Sequence, residues 1–123
     1  MHKLAIAALI VVASAATARE QKVIPEATPT GDAVNCVNLR SIQSTRVHGD
    51  STIDFHMGGG KVYRNILPNS CPSLGFEERF LYKTSLSQLC SVDIITVLHS
   101  PGLSQGASCG LGKFQPVKLA SAK

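Results

Sequence analysis

Four cysteines, Cys36, Cys71, Cys90 and Cys109, are the strongest constraint on what this chain can fold into. Their number is even, and successive separations are 35, 19 and 19 residues. A four-thiolate zinc site usually contains a close pair such as Cys-x-x-Cys, and the sequence has none. Two disulfides are therefore expected, as in small exported domains with thin cores. The core here has little aromatic material: four Phe, two Tyr and no Trp in 123 residues. Spacing alone permits three pairings. Cys71–Cys90 with Cys36–Cys109 is preferred, because the first would staple a local strand pair and the second would tie together the two ends of the domain.

Disulfides persist in oxidising compartments, and the N-terminus offers a route to one. Lys3 precedes residues 4–16, which are apolar or small apart from Ser14. Such a run suits a signal peptide and is too short to span a bilayer. Ala16-Thr17-Ala18 supplies a small-x-small cleavage pattern, followed by charged Arg19 and Glu20. The expectation is a signal peptide over 1–18, cleavage after Ala18, no membrane span afterwards, and a periplasmic or secreted product.

The rest divides by composition into a flexible leader over 19–35, a single β domain over 36–117 and a tail over 118–123. Residues 19–35 carry Pro25, Pro29 and Gly31 and show no apolar periodicity. Strands are expected at 42–48, 52–57, 61–67, 80–83 and 92–98, with a final edge strand over 111–117 containing Pro116. The clearest is 52–57, where Ile53, Phe55 and Met57 alternate with Thr52, Asp54 and His56. Gly58-Gly59-Gly60 predicts a hairpin turn to the next strand. Residues 92–98 are nearly continuously apolar after Asp93, which suggests a central strand. Residues 84–89 read as one helical turn capped by Thr84 or Ser85, and 100–108 as a loop. Five to six short strands separated by turn signals give an all-β fold, a small barrel or sandwich stapled by disulfides.

Chemical motifs are few. Gly106-Ala107-Ser108-Cys109-Gly110 matches the G-x-S-x-G nucleophile elbow in letters, but no Asp, Glu or His follows Ser108 to complete a triad. Asp54 and His56 share a strand face, with Asp50 and His48 across the turn. A metal site can be drawn there, yet the ordinary reading is the solvent face of a hairpin. His99 at a strand end and the Glu77-Glu78 pair both read as solvated groups. No catalytic, cofactor-binding or metal-binding residue is assigned, and no cofactor is expected. The formal net charge is +4 with no run of three basic residues; nucleic-acid readers more often carry a basic stripe, so no nucleic-acid partner is expected. Tyr63, Arg64 and Asn65 form the candidate ligand surface. An Arg64 facing a cleft would need an acidic partner or a ligand anion, because an unpaired buried charge is costly.

The order of motifs from Cys36 to Phe114 resembles a known family. The matching pieces are Cys36 followed by Ile42, Thr52-Ile53-Asp54-Phe55, Val62-Tyr63-Arg64-Asn65-Ile66-Leu67, and Cys71 with Leu74. Then come Phe80-Leu81-Tyr82, Leu89-Cys90, Asp93-Ile94-Ile95-Thr96-Val97 and Cys109-Gly110-Leu111-Gly112-Lys113-Phe114. Together they resemble the exported bacterial four-cysteine proteins of domain-of-unknown-function family 6491. The resemblance implies a secreted or periplasmic four-cysteine domain and brings no activity with it. The sequence therefore favours a non-enzymatic binding or accessory module with an envelope protein or ligand as partner. A small inhibitor of an envelope-directed hydrolase, or an enzyme with a site on its loops, is the alternative.

Overall fold

The computed structural model describes residues 24–84 and 86–120; the expected signal peptide lies outside the described residues. Strands β1 (Ala27–Pro29), β2 (Cys36–Asn38), β3 (Ile42–His48), β4 (Thr52–Met57) and β5 (Val62–Ile66) precede a single helical turn, α1 (Leu74–Glu77). Strands β6 (Phe80–Tyr82), β7 (Gln88–Cys90), β8 (Ile94–His99), β9 (Ser104–Gly110) and β10 (Phe114–Leu119) follow. They form a five-stranded sheet ordered β1-β10-β5-β4-β3, a three-stranded sheet ordered β6-β8-β9, and the pair β2-β7. The fold is all-β and sandwich-like, and its sheets do not close into a barrel.

Period-two patterning explains the core. Ile53, Phe55 and Met57 of β4 point inward and are buried, as are Ile95 and Val97 of β8 and Phe114 of β10. Phe55 makes edge-to-face contacts with Phe114 at 5.3 Å and with Phe80 at 6.4 Å between ring centres. Because Phe80 belongs to the smaller sheet, this aromatic group joins both sheets, a geometry that adds to simple area burial. Strand β8 is central in its sheet, but its apolar run is covered on one face only. Ile94 and Val92 are exposed.

Several expectations are corrected. The 19–35 segment contains β1, which pairs with β10 through Ala27↔Leu119 and Pro29↔Val117, and Val34 bridges Phe114. Strand β10 is consequently interior, not an edge, and reaches Leu119 beyond the expected domain end. It tolerates Pro116 because that residue's carbonyl faces β1, where it accepts from Thr30 N–H at 2.9 Å. In an antiparallel strand a residue's N–H and C=O point the same way, so the missing donor also faces β1 and leaves the β5 ladder intact. The expected helical turn over 84–89 is replaced by a bend at 86–87 and the start of β7 at Gln88, with the Thr84 hydroxyl accepting from Leu86 N–H and donating to Gln88 C=O; Ser85 lies outside the described residues. The expected loop over 100–108 is a turn followed by most of β9.

The two expected disulfides are present with a different pairing. They are Cys36–Cys90 and Cys71–Cys109, so the bridges interleave instead of nesting. Cys36 lies directly opposite Cys90 in the β2-β7 register. Cys90 is unavailable to Cys71, whose side chain is fully buried against the core and meets Cys109 on β9. Peptide mapping of unreduced protein should recover these two pairs and no free thiol. Replacing either pair with alanines should cost about 2–5 kcal/mol in denaturant unfolding.

Candidate functional site

The register places Tyr63, Arg64 and Asn65 on different faces, so they do not form one surface. Asn65 stands opposite Ile53 and Phe114 and points into the core. Its side chain exchanges two hydrogen bonds with Gly112, accepting from N–H at 2.8 Å and donating to C=O at 2.7 Å. This mimics a strand pairing and satisfies a buried amide. Gly112 is required for the approach, since a Cβ there would collide with the Ile66 carbonyl oxygen. Tyr63 is also on the inner face and lines a small polar hollow with Met57, Lys61 and Cys36.

Arg64 occupies the outer face, opposite Asp54 and Gln115. Its Nε and Nη2 donate to the two Asp54 carboxylate oxygens at 2.8 and 2.9 Å, a two-pronged pair, and His48 Nε2 lies 3.1 Å from Asp54 Oδ2. The Asp54 side chain is 0 % exposed and that of Arg64 12 %. The hydrogen bond to Asp54 holds the Arg64 guanidinium above its ordinary pKa, against burial, which acts the other way. The solvent-face reading of Asp54 is thus corrected: the carboxylate is buried on the outer face because Arg64 covers and neutralises it. Asp50 turns elsewhere and accepts from Gly75 N–H at 2.8 Å. Among the described residues no His, Cys, Asp and Glu group is arranged to hold a metal ion.

Other motifs resolve into structure. Ser108 lies within β9 beside Thr96, their hydroxyl oxygens 3.0 Å apart, so the nucleophile-elbow geometry of strand, turn and helix does not occur. Gly106 lies beneath the His99 ring, which a Cβ would strike. Glu77 is not simply solvated. It accepts from the Ser100 N–H at 3.0 Å and hydroxyl at 3.1 Å and lies 3.5 Å from His99 Nδ1. The Ser100 amide chiefly holds the Glu77 carboxyl below its ordinary value; the Ser100 hydroxyl and His99 act in the same direction, and burial opposes them.

The open side of the sandwich carries a different feature. Strands β3 and β6 end their respective sheets. Between them runs a cleft of about 520 Å³, walled by residues 42–45 on one side and by Glu78, Arg79, Phe80 and Tyr82 on the other, with Leu98 and Leu103 alongside. This volume falls within the range of ordinary ligand clefts. Leu103 is 52 % exposed at the cleft margin and has φ 53°, a left-handed conformation uncommon for leucine. Sequence reasoning missed the cleft because its two walls lie more than thirty positions apart and meet only when the sheets pack.

No protein-family model, curated protein or solved structure matches the chain. Among the described residues no helix is long and apolar enough to cross a membrane, and the two disulfides are those of a chain that folds outside the reducing cytoplasm.

Two outcomes follow. Arg64→Ala leaves the buried Asp54 carboxylate with His48 as its remaining side-chain hydrogen-bond partner and exposed Arg46 across the strand, and should destabilise the fold by about 3 kcal/mol in denaturant titration. A loss below about 0.5 kcal/mol, the usual range for surface changes, would show that the pair is not structural. For Glu77 the native pKa lies below the unfolded value of about 4.3. Its contribution is therefore complete above that pH and disappears as pH falls through the lower native value. The protection of the Ser100 amide, taken relative to its pH-dependent intrinsic exchange rate, should fall over that acid window in the wild type, and Glu77→Gln should show lower protection at neutral pH and lack the acid transition.

Proposed function

We propose that this chain is an exported, non-enzymatic binding module that holds a partner polypeptide in the cleft between β3 and β6, in the periplasm or outside the cell. The observation that carries the reading is the cleft itself, where Phe80, Tyr82, Leu98 and Leu103 gather beside the free edge of a sheet. Aromatic and aliphatic anchors in a groove are what polypeptide recognition uses for affinity. Three buried or half-buried acidic groups are engaged in holding the fold. Asp54 is bound by Arg64, Glu77 by Ser100, and Asp93 by the Cys90 N–H at 2.7 Å. Export through the 1–18 segment and kinship with domain-of-unknown-function family 6491 belong to the same proposal. The two disulfides support export; the kinship rests on the four-cysteine motif order and supplies no activity.

Photo-crosslinking residues placed at Leu103, at the cleft margin, and at Val92, which is 85 % exposed and outside its lining, test the reading in intact cells making the full chain. Position 103 should yield a discrete adduct with one polypeptide, and position 92 little. Equal labelling at both positions, or none at 103, would remove the cleft as the binding surface.

A further inference from the structure

Resting on that reading, we infer that the cleft takes its partner by strand addition: an extended segment with alternating apolar and acidic residues pairs with the free edge of β3. The first ground is the edge. Exposed strand edges invite pairing, and proteins normally blunt them with short strands, proline or glycine-rich irregularity. The other edges here are blunted: β1 has three residues and ends at Pro29, β6 has three, and β9 contains Gly106 and Gly110. Strand β3 has seven residues, Ile-Gln-Ser-Thr-Arg-Val-His, with no proline or glycine. Its irregularity falls between Ile42 and Ser44, leaving 44–48 in regular register with β4.

The second ground is what each face of an added strand would meet. Side chains of a strand alternate between faces, and cross-strand neighbours interact directly. On the inner face, beside Thr45 and Val47, the added strand would face the cleft wall formed by Phe80, Tyr82 and Leu98. That face calls for apolar side chains. On the outer face, beside Ser44 and Arg46, it would face an exposed guanidinium, because Arg46 stands opposite Asp54 while Asp54 is already bound to Arg64. On the opposite wall Glu78 and Arg79 both line the cleft and offset each other, so the charge preference rests on Arg46. The outer face therefore calls for aspartate or glutamate. Main-chain pairing supplies affinity in this mode, and the alternate side chains supply selectivity.

The probe is a seven-residue peptide alternating valine with aspartate or threonine, tested against its lysine counterpart and a copy methylated at alternate backbone nitrogens. With the full disulfide-bonded protein, the acidic peptide should slow amide exchange at alternate residues of β3 and bind at least tenfold more tightly than the lysine peptide. Methylation at the nitrogens facing β3 should abolish binding. Arg46→Gln, a surface change checked by an unaltered melting profile, should reduce the preference for the acidic peptide. Failure of the acidic peptide to bind, or binding without protection of β3, overturns strand addition; if Leu103 still crosslinks a partner, the cleft reading survives that result. Protection of β3 that appears without peptide and grows with protein concentration would assign the edge to a second copy and overturn the inference.

Discussion

The bridge from Cys71 to Cys109 lies at the point where the two larger sheets depend on each other. Cys71 follows β5 of the five-stranded sheet, and Cys109 belongs to β9 of the three-stranded sheet. Between the sheets lie Phe55, Phe114, Ile95, Val97 and Leu74, all fully buried. A chain with six aromatic residues forms a small core, and a cross-link that limits the unfolded ensemble offsets part of the entropy cost. Cys36–Cys90 closes a second, overlapping loop through β2 and β7. Because the loops interleave, neither bridge leaves an independent subdomain, and α1 and β6, lying between Cys71 and Cys90, are tied to both.

Asp54 shows how such a thin structure fixes its register. A buried ion pair is weak evidence of net stability, since desolvation opposes attraction. Its geometric effect is firmer. Asp54 stands opposite Arg46 on one side and Arg64 on the other. A one-residue slip of β4 would turn the carboxylate into the aromatic core and bring Phe55 to the outer face. The Arg64–Asp54 pair thus penalises the wrong register of β3, β4 and β5, and β3 is the strand whose free edge borders the cleft. The residue that the sequence offered as a ligand contact instead holds that edge in place.

The cleft exists because closure stops one strand short. The larger sheet ends at β3 and the smaller begins at β6, so the aromatic cluster continues from Phe55 through Phe80 to Tyr82 and emerges at the surface. Glu77 and Ser100 join α1 to the end of β8 near one end of this opening. The side chains around the opening are thereby arranged by contacts whose main role is to hold the fold.

Local chemistry made much of the chain legible before any tertiary contact. Alternation in 52–57 and the β-branched run in 42–48 give strands at the observed bounds, and the triple glycine gives their neighbour's hairpin because Gly59 and Gly60 adopt φ near +80°. Even cysteine count and wide spacing point to disulfides, since thiol chemistry depends on compartment and on the absence of a chelating pair. Pairing and position were decided only by the fold. Which thiol meets which depends on β2 crossing to β7, an association between residues 54 positions apart. The burial of Asp54, the interior place of β10 and the strand within 24–35 likewise depend on neighbours that no local pattern names. Period-two alternation reports which residues share a face, while the burial of that face is set by whatever packs across it.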